Sequence, residues 1–142
     1  MIKTFSGKLA DEDIETIRLS TSNGLIGYRI KDFRAIFENP AGLSAEAVLK
    51  VYTVKPETAD AIINFDDPTL IGAIFIENNN SATYFGGQTI VFEHVTFNQD
   101  IYVTYEDNAA GHNCNYYLEL EAMKLSDNEA TVATLKEMRG RE

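Results

Sequence analysis

In Gly111-His112-Asn113-Cys114-Asn115-Tyr116-Tyr117-Leu118-Glu119-Leu120-Glu121 the second half alternates between apolar and acidic side chains. From Tyr116 to Leu125, Leu118, Leu120 and Ala122 fall on one side, while Glu119 and Glu121 fall on the other. Successive side chains leave a pleated backbone on opposite faces, so a period of two marks a strand with one face buried and one in water. The same stretch holds the chain's one cysteine and one of its two histidines. A reactive thiolate needs a lowered pKa, from a helix N-terminus or a nearby cation. The preceding loop offers Glu106 and Asp107 instead, which act in the other direction. A zinc site needs about four ligands, and Cys114, His112 and the distant His94 lack metal-type spacing. Cys114 therefore reads as a small apolar side chain at a strand entrance.

Downstream the pattern changes period. Ser126-Asp127-Asn128-Glu129 is a capping box, in which the Ser hydroxyl and the Glu carboxylate each accept from the other's amide. Val132, Leu135 and Met138 follow at helical spacing, with Lys136 and Arg139 in the last turns and Gly140 as a stop. A helix is expected over residues 126–139.

Upstream the chain reads as short strands. Ile101–Tyr105 alternates, and Gly86-Gly87 is expected to bend the chain before a strand over Gln88–Phe92. Leu70–Ile76 is apolar on both faces, which suits a central strand covered on both sides or an edge buried against another chain. Ala61–Phe65 reads as a short strand and Ala45–Val54 as a longer one, separated by Lys55-Pro56-Glu57. In Leu25–Glu38, Tyr28 and Ile30 share one face while Phe33, Ala35 and Phe37 share the opposite one, which predicts a β-bulge near Lys31-Asp32. Thr21-Ser22-Asn23-Gly24 carries the Asn-Gly signal of a tight hairpin, entered from an alternating Ile14–Ser20. Met1–Ala10 has no helical period and reads as an extended arm or a first strand. About eight strands and one terminal helix predict a mainly β chain, a single domain over residues 1–142: an antiparallel β-sandwich or barrel-like domain with a C-terminal α-helix. No internal repeat of solenoid length is visible.

The 142 residues suit one domain with a core that needs no metal or disulfide staple. A net charge of −10, from 12 Lys and Arg against 22 Asp and Glu, argues against direct contact with nucleic acid or an anionic membrane surface. It suits a positively charged protein partner. No apolar run has signal-peptide or membrane-spanning length, so the whole chain is expected to be the mature form. Asp66-Asp67 and Glu106-Asp107 lack the alternating oxygen register of a calcium loop and read as solvated acids. Gly86-Gly87 is no phosphate loop, and neither a nucleophile elbow nor a zincin motif occurs. Tyr102, Tyr105, Tyr116 and Tyr117 are better explained by cross-strand packing than as an aromatic platform. No metal site, cofactor or enzymatic activity is expected.

Three segments together resemble a known group. They are Ile17–Ile30, with Leu19-Ser20-Thr21-Ser22-Asn23-Gly24 at its centre; Phe97-Asn98-Gln99-Asp100-Ile101-Tyr102-Val103-Thr104-Tyr105; and Asn113–Glu121, continuing to Glu129-Ala130-Thr131-Val132-Ala133-Thr134-Leu135-Lys136. These are similar to small virion structural proteins of tailed bacteriophages, mostly marine ones. The likeness spans most of the chain and is weakest from Asn39 to Gln88. It implies a virion component assembled in the host cytoplasm, and no catalytic residues come with it. The expectation is a capsid decoration (cement) protein at the capsid surface, a homotrimer bound to the major capsid protein. Alternatives are a tail, neck or fibre-attachment component and, from another class, a carbohydrate-binding β-sandwich.

Two features look unsuited to an isolated domain and supply the candidate interface residues. Lys3, Phe5 and Lys8 lie in the N-terminal arm, which can extend roughly 33 Å onto a neighbouring subunit. Ile71 and Phe75 lie in the doubly apolar run.

Overall fold

A computed structural model of the chain describes residues 1–40, 44–78, 85–108 and 111–140. Within them the chain is mainly β, with eight strands and one helix. The strands are β1 (Ile2–Leu9), β2 (Ile14–Ile17), β3 (Ile26–Phe37), β4 (Ala45–Tyr52), β5 (Leu70–Asn78), β6 (Phe85–Val91), β7 (Ile101–Asp107) and β8 (Cys114–Lys124), followed by helix α1 (Asp127–Gly140). They form a three-stranded sheet in the order β1-β8-β3 and a five-stranded sheet in the order β2-β7-β4-β5-β6. Every pairing is antiparallel. Two separate sheets packed face to face make this a sandwich-like fold rather than a closed barrel.

The core lies between the sheets. Leu118 and Leu120 of β8 are fully buried, and so are Leu49, Val51, Ile101 and Val103 of the facing sheet. Glu121, on the outer side of β8, accepts from Arg29 Nη2 at 3.1 Å. The alternation seen in the sequence is thus the division between core and solvent. In β3 the pairing with β8 shifts between Ile30 and Asp32. That bulge carries the strand's apolar side over, so that Tyr28, Ile30, Phe33 and Phe37 all enter one core, each at most 2% exposed. At Gly72 of β5 the two sheets nearly touch: a Cβ there would lie 3.6 Å from both Ile30 and Phe33.

Of the two readings of Met1–Ala10, the first strand holds: Ile2–Leu9 pairs with β8 from Ile2↔Glu121 to Leu9↔Cys114. Other sequence expectations are corrected. Thr21–Gly24 is a turn, with Gly24 at φ +67°, but it joins strands of different sheets and not a hairpin. The glycines Gly86-Gly87 lie within β6. A Cβ at Gly87 would stand 3.0 Å from the Phe75 carbonyl, so close strand approach, not a bend, accounts for this glycine. Residues 61–65 form no strand, because side chains cap their backbone. Asp60 Oδ1 accepts from the Ile62 amide at 3.0 Å, and Asn64 Oδ1 accepts from the Asp66 amide at 3.0 Å. Such local turns compete with a ladder.

The capping box of α1 is present in both directions, Ser126 N to Glu129 Oε1 and Glu129 N to Ser126 Oγ, each at 3.2 Å. The helix, however, turns its small side toward the body. Ala130 and Ala133 are 6% exposed, whereas Val132 is 53% and Leu135 47% exposed. The side chain of Met138, the third residue of that spacing, lies outside the described residues. Small residues let the helix approach closely enough for the buried Asn98 to donate from Nδ2 to Ala130 O at 3.3 Å and Thr134 Oγ1 at 3.0 Å.

Candidate interaction surface

The sequence-derived interface residues separate into different environments. Lys3 is exposed, and its ammonium stands 5.6 Å from the ring centroid of Tyr28. Phe5 is half-buried and packs on the core. Lys8 pairs with Glu38 at 2.7 Å, and this hydrogen bond, with a second from Asn113, holds the Glu38 carboxyl below its ordinary range. Ile71 is 1% exposed and belongs to the chain's own core, so it is withdrawn as an interface residue. The doubly apolar run is an inner strand, flanked by β4 and β6 and covered on both sides over most of its length. Phe75 alone of that run is open, at 38% exposure.

The strand β1 remains the end strand of its sheet. Met1 exchanges backbone hydrogen bonds with Ala122, at 2.7 and 3.3 Å. Alternation then points the backbone groups of Ile2, Thr4, Ser6 and Lys8 away from β8, toward the open edge. Lysines on such an edge discourage indiscriminate strand pairing.

A second surface was not legible as one unit in the sequence. On the face of the five-stranded sheet turned away from the core lie Val48 and Lys50 of β4, Ala73 and Phe75 of β5, and Ile90 of β6. Lys50 and Ile90 are both Cα partners of Ala73, and Val48 is the partner of Phe75. Lys50 is 1% exposed although charged. It donates to Asp60 Oδ1 at 2.6 Å and to the Ile62 carbonyl at 2.7 Å. The loop that would have been a strand is thereby latched over the sheet. This hydrogen bond from Lys50 is the largest influence on Asp60, lowering its pKa against the opposing effect of burial.

The latched loop presents apolar side chains outward. Ile62 is 72% exposed, Phe65 57% and Ile63 37%; on the strands, Phe75 and Ile90 are each 38% exposed. The ring of Phe65 meets that of Phe92 edge-on at 5.3 Å between centroids. Phe92 follows Ile90 by two residues on an extended segment whose amide donates to Ile71 O at 3.0 Å. The Phe65–Phe92 contact joins the loop's apolar side chains to the segment that follows β6. Carboxylates surround these side chains: Asp60, Asp66 and Asp67 on the loop, Glu46 opposite Glu77 at one end of β4 and β5, and Glu106 opposite Val48. Glu106 has its pKa raised, by burial first and then by Asp11, Glu12, Asp60 and Asp107.

The opening motif has a structural explanation. Cys114 is fully buried, and burial first, then the charge of Asp107, pushes its thiol up to about 12. His112 fastens the loop: its amide donates to Asp107 Oδ2 at 2.7 Å, and its carbonyl accepts from Tyr105 Oη at 2.5 Å. The four tyrosines form no platform. Tyr105 and Tyr116 are core residues, whereas Tyr102 and Tyr117 lie on the outer faces of different sheets. Among the described residues, no group of three or more His, Cys, Asp or Glu side chains is placed to hold a metal ion. Among them, too, no helix is long and apolar enough to cross a membrane. No protein-family model and no curated protein matches the sequence.

Proposed function

We propose that this chain is a bacteriophage virion structural protein, a capsid decoration (cement) protein that binds and stabilises the shell of major capsid protein as a homotrimer. The observation that carries this reading is the position of Asn98. The three sequence segments that resemble phage virion proteins are separate in the chain, yet they meet at this one buried side chain. Asn98 Nδ2 reaches Gly24 O in the first segment at 3.0 Å, and Ala130 O and Thr134 Oγ1 in the third. Nearby, Tyr28 and Phe97 exchange backbone hydrogen bonds at 2.8 and 2.9 Å, and Asp100 Oδ1 accepts from the amides of Leu19 and Ser20. A likeness whose three segments share one structural joint supports a shared scaffold better than unconnected matches would.

The proposed mechanism is interface burial. A small acidic β domain with an exposed apolar face binds neighbouring shell subunits and resists their separation under internal pressure. Repeated contacts around the shell add avidity without requiring each to be strong. Quantitative mass spectrometry of purified particles from a phage encoding the chain tests this. A copy number comparable with that of the major shell subunit is expected. A few copies per particle would move the protein to the tail, neck or fibre attachment, and absence from particles would overturn the reading.

A further inference from the structure

We propose that the outer face of the five-stranded sheet, centred on Ile62, Phe65, Phe75 and Ile90, is the docking surface, and that its occupant is a protein patch with an apolar centre and a Lys/Arg rim. The inference rests on the shell-binding reading and names the surface and the chemistry of its partner. Isolated exposed apolar residues need no explanation, but a contiguous group rimmed by polar residues marks an interaction site. Here the register brings the group together around Ala73, itself 4% exposed: Lys50 and Ile90 flank it across the ladder, and Phe75 follows it along β5. The Ile62 carbonyl is held on Lys50 at 2.7 Å, which fixes the most exposed of the apolar residues over the sheet.

Charge selects the occupant. The outward-facing positions of this sheet carry Glu46, Glu77 and Glu106, and the loop adds Asp60, Asp66 and Asp67. The cation on these strands' outer face is Lys50, which is buried and already paired with Asp60 at 2.6 Å. A second copy of this face would bring like-signed carboxylates together, and each chain already carries a net charge of −10. A basic-rimmed partner gains from the same arrangement, chiefly in encounter rate and choice of partner, while the apolar centre supplies affinity.

The test is co-sedimentation of the full chain with purified shells that lack it, at low and moderate salt. Three proteins are compared: the wild type, the double variant Ile62→Ser with Phe65→Ser, and the double variant Glu46→Lys with Glu77→Lys. The altered side chains are exposed or half-exposed, and unchanged melting and circular dichroism establish that each variant is folded. Wild-type binding is expected, weakened roughly tenfold or more by the apolar variant, the scale of a hot-spot truncation. The charge variant should bind more slowly and with a smaller salt dependence. Wild-type binding that both folded variants retain in full overturns this inference and leaves the shell-binding reading standing. Failure of the wild type to bind shells overturns that reading and this inference with it. Self-association of the wild type that the apolar variant abolishes also overturns the inference, by identifying a second copy as the occupant.

Discussion

Lys50 and Asp60 form an asymmetric pair: the lysine side chain is 2% exposed, the carboxylate 53%, and they meet at 2.6 Å. The buried charge depends on a partner that stands half in water. Removing the partner strands the ammonium, whose remaining described acceptor is the Ile62 carbonyl. Asp60→Asn should lower stability by about 1–3 kcal/mol, at the low end of buried-pair losses because Asp60 is solvent-screened. Lys50→Met in the Asp60→Asn background should restore much of that loss, since an apolar side chain needs no counter-charge there. Denaturant midpoints of the three variants check both statements. A double variant weaker than Asp60→Asn would show that the lysine contributes more than its charge pair.

Two carboxylates should impose opposite pH dependences. Asp60 has a pKa below its ordinary 3.8, through its hydrogen bond to Lys50 first. Its contribution is therefore fully present above the ordinary value and is lost as pH falls through the lower folded value. Glu106 has a pKa raised above its ordinary 4.5, through burial first. Its ionised form is a penalty, present in full above the folded pKa and relieved as pH falls toward the ordinary value. Glu106→Gln should accordingly raise the melting temperature at neutral pH, and that gain should shrink on acidification. The deficit of Asp60→Asn should shrink over the more acidic range. Melting scans from neutral to acidic pH decide both signs.

Cys114, fully buried and with its thiol pushed up to about 12, should not react with an aromatic disulfide reagent at neutral pH in the native state. Labelling should begin only with denaturant, in step with unfolding. Cys114→Ala removes one buried atom and should cost about 1 kcal/mol, the scale of a small cavity. Rapid native labelling would place the thiol in an accessible, activated setting.

Deleting Met1–Lys8 should unfold the chain or make it aggregate. The cut removes most of β1, including the half-buried Phe5, and exposes the hydrogen-bonding edge of β8 from Asn115 to Glu121. Circular dichroism and light scattering read the outcome. A truncated protein with wild-type melting would show that β1 is a detachable arm, as the sequence alone allowed.

The strand faces were legible wherever alternation is strict. In β8 the Leu-Glu-Leu-Glu pattern is the core boundary, and in β3 the change of apolar side placed the bulge near Lys31-Asp32, where the register shifts between Ile30 and Asp32. The helix start was legible because both partners of its capping box are local. The helix's orientation was not: Val132 and Leu135 are spaced like a buried stripe, yet the inward side is chosen by Ala130, Ala133 and a distant Asn98. Nor could residues 61–65 be read, since an apolar run held by Asp60, Asn64 and a lysine from another strand looks like a strand from its own composition. Of the candidate surface, Phe75 was singled out and Ile71 wrongly joined to it. Their different exposure follows from the register shift between Val51 and Tyr52, which no single-strand pattern reveals. The lone Lys50 in Ala47-Val48-Leu49-Lys50-Val51 was the available signal for the latch, because a buried lysine requires a carboxylate nearby.

The most direct test of the proposed function is a cryo-EM reconstruction of the intact particle at a resolution that separates strands. A two-sheet domain is expected, repeated over the outside of the shell, with the outer face of the five-stranded sheet, Phe65, Phe75 and Ile90 included, against the major capsid protein. A fully interpreted shell with no such domain on it, or the domain found only at the tail or neck, would overturn the proposed shell-binding role.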